Sequence, residues 1–504
     1  GSVKAIGRSV GLSDLYVLQQ SGNIVPAIVF RTELDDHGAV GGSVLSDSTL
    51  DSVGALTSVL QCYSDTTVPR FSQNFFSDAT NDTLGTASTQ DAYGVRIINC
   101  QIKRSVSTSS PAVSVNGGGT YLFQNCVFAA HNSPAYYQGG AYAVDNEDAR
   151  CLVRMVGCDF VAVTGDQDTT DFALLKHTGG QLHLEDCGFD YQDDESAGAA
   201  LNRREPTRTI EIDLGTSANA SKVGGASLRG FRVVTRGNGV EYPVYLRARG
   251  ENNIHISGLE VYQTAGGNIA ALLVASAYGG AARIHLEDLR TSALAVSHHA
   301  HLSGNVSFFG HFVDSSRRDA AVGTITPASA NTLADIRVAA SDVEGVDISD
   351  YSTLMSLRGL YFKDPPYCGL GLKQSGTISH KVVVEGLIVD GVRDGAAVAG
   401  YGVVNQHFHN VSIASADLQG LRFSGIVDLT STATIEAKVS GFAEEFQATD
   451  FYGLTDSSYA DLLDATERSE RSGVYGGRVV DCKALPNALL GGRTGAVGYT
   501  FPPT

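Results

Sequence analysis

The chain has 504 residues, a formal net charge of −18, and 18% charged against 43% hydrophobic residues. That balance excludes a disordered chain. The acidic surplus argues against nucleic acid as the partner, because phosphate contacts need a basic face, and no apolar run is long enough to span a bilayer.

With 57 Gly, 2 Met and no Trp, and with β-branched residues prominent beside Gly, Ser, Asn and Asp, an all-β chain is expected. Gly1-Ser2 reads as a cleavage scar, so native targeting information is expected to have been cut away. Residues 1–90 show no repeat anchor and read as an N-terminal capping region. Within it, Asp51 to Cys62 reads as a short helix, with Asp51 as N-cap and Val53, Leu56 and Leu60 on one face.

Residues 91–445 carry repeats. Four segments look like copies of one unit: Arg96-Ile-Ile-Asn-Cys100, Leu122-Phe-Gln-Asn-Cys126, Arg154-Met-Val-Gly-Cys158 and His183-Leu-Glu-Asp-Cys187, their cysteines 26, 32 and 29 residues apart. The unit is expected to continue with Gly, Asp or Asn in place of Cys, at Gly230, Gly258, Asp288, Gly359, Gly386, Asn410, Gly425 and Gly441. About a dozen residues before many anchors lies a second apolar run, such as Ala112–Val115, Phe172–Leu175 and Ala271–Val274. Two or three short strands per repeat predict a parallel solenoid. The cysteines would then stack as buried, reduced ladder residues rather than form disulfides. Residues 446–504 read as a C-terminal cap or oligomerisation region, with a helix over 459–467 and a strand over 477–482.

Registers on the anchors nominate chemistry. Asp166 follows Cys158 by 8 residues and Glu195 follows Cys187 by 8, which places them on neighbouring repeats. Carboxylates about 5 to 10 Å apart serve glycoside hydrolases, so Asp166, Asp168, Asp194 and Glu195 are the catalytic candidates. A second register sets Asp145 and Glu147, Lys176 and His177, and Arg247 and Arg249 on one side of the stack. That mixture also suits a lyase, which needs a cation for the uronate and a base. Tyr136, Tyr137, Asp145, Glu147, His177, Tyr191 and Arg247 are the substrate-binding candidates. Arg203, Arg204, Arg208, Arg247 and Arg249 form a candidate basic patch for an anionic polysaccharide.

Metal readings are weaker. Of His298, His299 and His301, strand alternation allows only His299 and His301 to share a face, and Asp166-x-Asp168-x-x-Asp171 lacks the EF-hand glycine and terminal Glu. No metal or cofactor is expected.

In its degenerate repeats, Gly/Ser/Asn-rich turns, capping N-terminal region and distinct C-terminal segment, the chain resembles bacteriophage tailspikes of the right-handed parallel β-helix type. The same fold is similar to that of pectin-degrading enzymes. The tailspike resemblance implies a homotrimer on a virion that binds and depolymerises a bacterial surface polysaccharide. It carries over no catalytic residues. A lyase and a non-catalytic adhesin or structural spike remain the alternatives.

Overall fold

A computed structural model describes residues 3–6, 11–19, 28–33, 44–53, 60–65, 96–105, 111–116, 119–131, 137–139, 151–163, 173–192, 208–215, 224–236, 240–264, 269–318, 334–339, 341–345, 354–366, 368–373, 381–385, 388–390, 396–401, 406–409, 412–413, 423–428, 445–452 and 478–480. Among these residues there is no helix, and the paired strands run parallel. The chain divides into two compact units, 1–259 with 279–282, and 260–278 with 283–504.

In the first unit each strand pairs with its counterpart one repeat away, and single residues run in columns. One column is Val3, Ile28, Leu60, Val113, Tyr137, Leu175, Ile210 and Val244. A second is Leu12, Leu45, Ile97, Phe123, Met155, Leu184 and Leu228. A third is Val17, Leu50, Ile102, Phe128, Phe160, Phe189 and Val233. Where burial is described below the first repeat, these positions are closed to solvent. In the third column the Phe128, Phe160 and Phe189 rings stack at 4.5 and 4.6 Å. Repeat-type pairing therefore begins at Val3, inside the region expected to be a cap. Both described ends of the expected 51–62 helix are strands, Thr49–Val53 and Leu60–Asp65, because Leu50 and Leu60 continue the period-2 columns rather than one helix face.

The bend between the second and third strands explains the anchor motif. Asp14, Asp47, Asn99, Asn125, Gly157 and Asp186 all have positive φ, a conformation that only Gly, Asn and Asp adopt readily. Each donates its amide to the carbonyl one repeat on: Asn99 to Gln124, Asn125 to Val156, Gly157 to Glu185, and Asp186 to Arg229, at 2.9 to 3.0 Å. The side chains ladder too, with Asn125 Nδ2 donating to Asn99 Oδ1 and Asn99 Nδ2 to Asp47 Oδ1.

The next residue turns inward. Cys100, Cys126, Cys158 and Cys187 are buried free thiols, each donating to the carbonyl two residues back. The glycines expected to replace Cys belong instead to the turn column. Gly230 and Gly258 have positive φ, and it is Phe231 and Leu259 that continue the thiol column inward.

The second unit repeats the scheme. Asp288, Gly310 and Gly359 hold the positive-φ position, followed by the inward column Leu289, His311 and Leu360. Gly304 has φ +80°, and a Cβ there would lie 1.8 Å from the Ala277 carbonyl, which accepts from Asn305 N at 2.8 Å. Further strands include Phe423–Asp428, Glu445–Tyr452 and Arg478–Val480, a three-stranded parallel sheet. The expected late strand is thus present as Arg478–Val480, and the expected 459–467 helix lies outside the described residues.

Candidate functional site

In the first unit, three successive strands build one charged face: Ala173–His177, Arg208–Leu214 and Val244–Arg249. Leu175, Ile210 and Val244 form one buried column, and His177, Ile212 and Leu246 the next. Alternation turns Lys176, Glu211, Asp213, Tyr245 and Arg247 to the opposite side. Lys176, Glu211 and Tyr245 are register partners, as are Asp213 and Arg247.

Each carboxylate sits between two cations. Glu211 meets Lys176 Nζ at 3.0 Å and Arg208 Nη1 at 3.3 Å. Arg249 Nη2 donates to both oxygens of Asp213 at 3.0 and 3.2 Å, and Arg247 Nη1 lies 3.6 Å away. Arg249 Nη1 donates to Gly215 O at 2.7 Å, fixing the fork. The Arg208 guanidinium lies 4.0 Å from the Tyr245 ring centre and that of Arg247 5.2 Å, a cation–π arrangement. Exposure grades across the face, from Lys176, a third exposed, to Arg247, which is buried. Glu211 and Asp213 are two residues apart on one strand face, about 6.7 Å of rise.

Asp166, Asp168, Asp194, Glu195, Tyr136, Asp145, Glu147, Arg203 and Arg204 lie outside the described residues. Tyr137 pairs with Leu175, and Tyr191 with Ala162. His177 does not belong with the binding candidates. It is fully buried between Ile212 and its neighbours, its Nε2 3.5 Å from Gly180 O, and burial pushes its pKa down to about 4. Lys176 and His177 are adjacent on a strand, so only one of them can face outward. The structure brings together Lys176, Arg208, Arg247 and Arg249 from the expected basic groups. Sequence reasoning missed Glu211 and Asp213, although Thr209-Ile-Glu-Ile-Asp-Leu214 alternates strictly, which is the signal for a half-buried strand.

The second unit encloses a polar network. Ser315 donates to Asp335 Oδ2 at 2.6 Å, so His299 Nε2 must donate to Ser315 Oγ, at 2.9 Å. His299 Nδ1 then accepts from Thr291 Oγ1 at 3.0 Å, and Thr291 accepts from His311 Nε2 at 2.9 Å. Asp335 is the terminal acceptor of this chain and is also ion-paired with Arg318, which donates to Ser297 O as well. Although Ser, His and Asp are all present, the hydroxyl donates to the carboxylate rather than to the imidazole, and all three groups are buried. The arrangement therefore does not activate Ser315 as a nucleophile. Burial drives His299 well below the ordinary histidine range and His311 down to about 3.

Strand alternation leaves His299 and His301 as the two of the three histidines that could share a face. The neighbouring rings are His298 and His301, 6.4 Å apart between centroids, while hydrogen bonds commit His299 to Thr291 and Ser315. No helix among the described residues is long and apolar enough to cross a membrane. No protein family, no curated protein and no solved structure matches the chain.

Proposed function

We propose that the chain is a right-handed parallel β-helix spike of the bacteriophage tailspike kind, which binds and depolymerises an acidic bacterial surface polysaccharide. The observation that carries this reading is the face of Lys176, Arg208, Glu211, Asp213, Tyr245, Arg247 and Arg249, built by three successive repeats in a chain of net charge −18. Cations concentrated on one face of an acidic protein suit a carboxylate- or phosphate-bearing glycan. The partly exposed Lys176, Arg208, Asp213 and Arg249 side chains offer the charged and hydrogen-bonding contacts that glycan carboxylates and hydroxyls use, with Tyr245 buried behind them.

Hydrolysis is assigned to Asp166, Asp168, Asp194 and Glu195. Val163 and Gln192 are register partners, and Asp166 and Glu195 each follow three residues later, which supports reading the two segments as equivalent. A homotrimer acting on the virion at the host cell surface completes the proposal.

A non-catalytic glycan-binding spike is the second reading. It is favoured by the two cations that hold each of Glu211 and Asp213. Elimination has less support, because His177 is buried and Lys176 is engaged by Glu211.

The test is incubation with purified acidic capsular and O-antigen polysaccharides, following binding, new reducing ends and the ultraviolet absorbance of unsaturated uronates. Binding with reducing ends and no absorbance is expected, abolished in turnover but not in binding by Asp166→Asn or Glu195→Gln. Binding without products supports the spike reading. Absorbance would overturn the hydrolase assignment, and no binding across an acidic panel would overturn both readings.

A further inference from the structure

Asn252 is fully buried, although the first unit's interior columns are apolar. A buried carboxamide is costly unless its polar atoms are engaged, and the group that this one engages points to its use. Residues 249–252 turn the chain after the Val244–Arg249 strand, with Gly250 at positive φ. Asn252 N donates to Arg249 O at 3.3 Å, and Asn252 Nδ2 donates to the same carbonyl at 2.6 Å. The main chain of Arg249 is thus tied at its carbonyl by two donors of one residue.

The other end of Arg249 is tied as well. Its Nη1 donates to Gly215 O, and its Nη2 to both oxygens of Asp213. Gly215 follows Leu214, the register partner of Ala248, and so lies beside Arg249. A Cβ on Gly215 would sit 2.7 Å from Asn252 Nδ2 and 2.9 Å from Arg249 O, and the backbone there has φ +82°. Backbone angle and space both require glycine. The missing side chain is what lets Asn252 reach the Arg249 carbonyl.

Arg249 is therefore held at both ends, through Asn252 at its carbonyl and through Gly215 and Asp213 at its guanidinium. An arginine side chain gives up rotamer freedom when it binds a ligand, and one that is already fixed gives up less. A fixed guanidinium is a preformed contact for a carboxylate or phosphate.

We propose that Asn252 and Gly215 are positioning residues of the charged face: they fix Arg249 before a glycan arrives, and so raise the affinity for an acidic polysaccharide without touching it. This rests on the reading of that face as the glycan surface.

The experiment uses the full chain and two readouts. The first is phenylglyoxal labelling of arginines without ligand, followed by mass spectrometry. The second is the affinity for polygalacturonate and for the purified acidic capsular and O-antigen polysaccharides. Asn252→Ala labels Arg249 several-fold faster than the parent and leaves Arg154 unchanged. It weakens polysaccharide binding by about threefold to tenfold, as loss of one hydrogen bond implies. Gly215→Ala weakens binding at least as much. In an Arg249→Gln background neither substitution weakens binding further, because both act through Arg249. Phe160→Ala, which destabilises the same unit elsewhere, keeps the parent's affinity. The proposal is overturned if labelling of Arg249 is unchanged in Asn252→Ala, or if Asn252→Ala binds as well as the parent. Equal losses with and without Arg249 would also overturn it, as would a matching loss in Phe160→Ala, since either describes a structural role alone. A parent that binds no acidic polysaccharide overturns the face reading itself, and faster labelling of Asn252→Ala then marks the corner as structural only.

Discussion

The two units use one backbone scheme, parallel strands paired a repeat away, yet they handle polar side chains in opposite ways. The first gathers formal charges on one strand face that grades from a third-exposed Lys176 to buried Glu211 and Arg247, where Glu211 and Asp213 bridge cations from the same and neighbouring strands. The second encloses neutral imidazoles and hydroxyls, with a buried ion pair, Arg318–Asp335, at the end of the chain of hydrogen bonds. Partly solvated charges need only modest compensation, whereas enclosed polar groups must each find a partner. Acid, substitution and salt should therefore affect the two units differently.

Acid should separate them most. His298, His301 and His311 have folded pKa values of about 3, 4 and 3, and His299 is lowered further, against an ordinary 6.5. Because the folded values are lowered, the unfolded chain binds more protons between these limits. Stability is then full above pH 6.5 and falls as the pH drops towards 4. At pH 5 each such histidine costs about 2 kcal/mol. Among the described residues the second unit carries four such buried histidines, while His177 is the fully buried one of the first. Hydrogen exchange at pH 7.5 and pH 5 should show the 296–314 strands losing protection before 119–163. Equal loss in both would break the comparison.

Next in size is Asp335→Ala, which leaves Arg318 buried without its partner and should cost about 3–5 kcal/mol in urea unfolding. A cost below 1 kcal/mol would mean that Arg318 reaches water. In the first unit the matching insult is apolar. Phe160→Ala opens a cavity between Phe128 and Phe189 and should cost about 3–5 kcal/mol, independent of pH between 5 and 8. A pH-dependent cost would show that polar groups reach the ring stack.

The smallest effect belongs to Arg154→Ala. Its 3.0 Å bridge to Glu185 joins side chains 56% and 43% exposed, so solvent screening limits the loss to about 0.5 kcal/mol, removed by 0.5 M salt. A larger, salt-resistant loss would contradict the solvated reading of this pair.

The repeat was legible where one residue type recurred in one column, as with Cys100, Cys126, Cys158 and Cys187. It was misread where the type changed. Gly230 and Gly258 satisfy the positive-φ turn, a backbone requirement, while the inward neighbour is free to be Phe231 or Leu259. Asp47 and Ser48 hold the same two positions in an earlier repeat, but without a cysteine nothing in the sequence marks the repeat there.

The charged face was half legible. Lys176, Arg208, Arg247 and Arg249 stood out as cations, yet their partners Glu211 and Asp213 did not. The Lys176–Glu211–Tyr245 register spans 35 and then 34 residues, and variable loops hide such a pairing from any fixed period. Alternation correctly separates Lys176 from His177, and applying it there would have placed the histidine inside. It does not tell which of three nearby imidazoles meet, because ring position follows the hydrogen-bond partner.

The most direct test of the proposed function is hydrogen exchange of the full chain with and without an acidic host polysaccharide that it binds. The charged-face account predicts slowed exchange in peptides covering 173–177, 208–214 and 244–249, with the effect lost in the Arg247→Gln, Arg249→Gln double variant. Binding that leaves those three strands unchanged and protects other segments would contradict it.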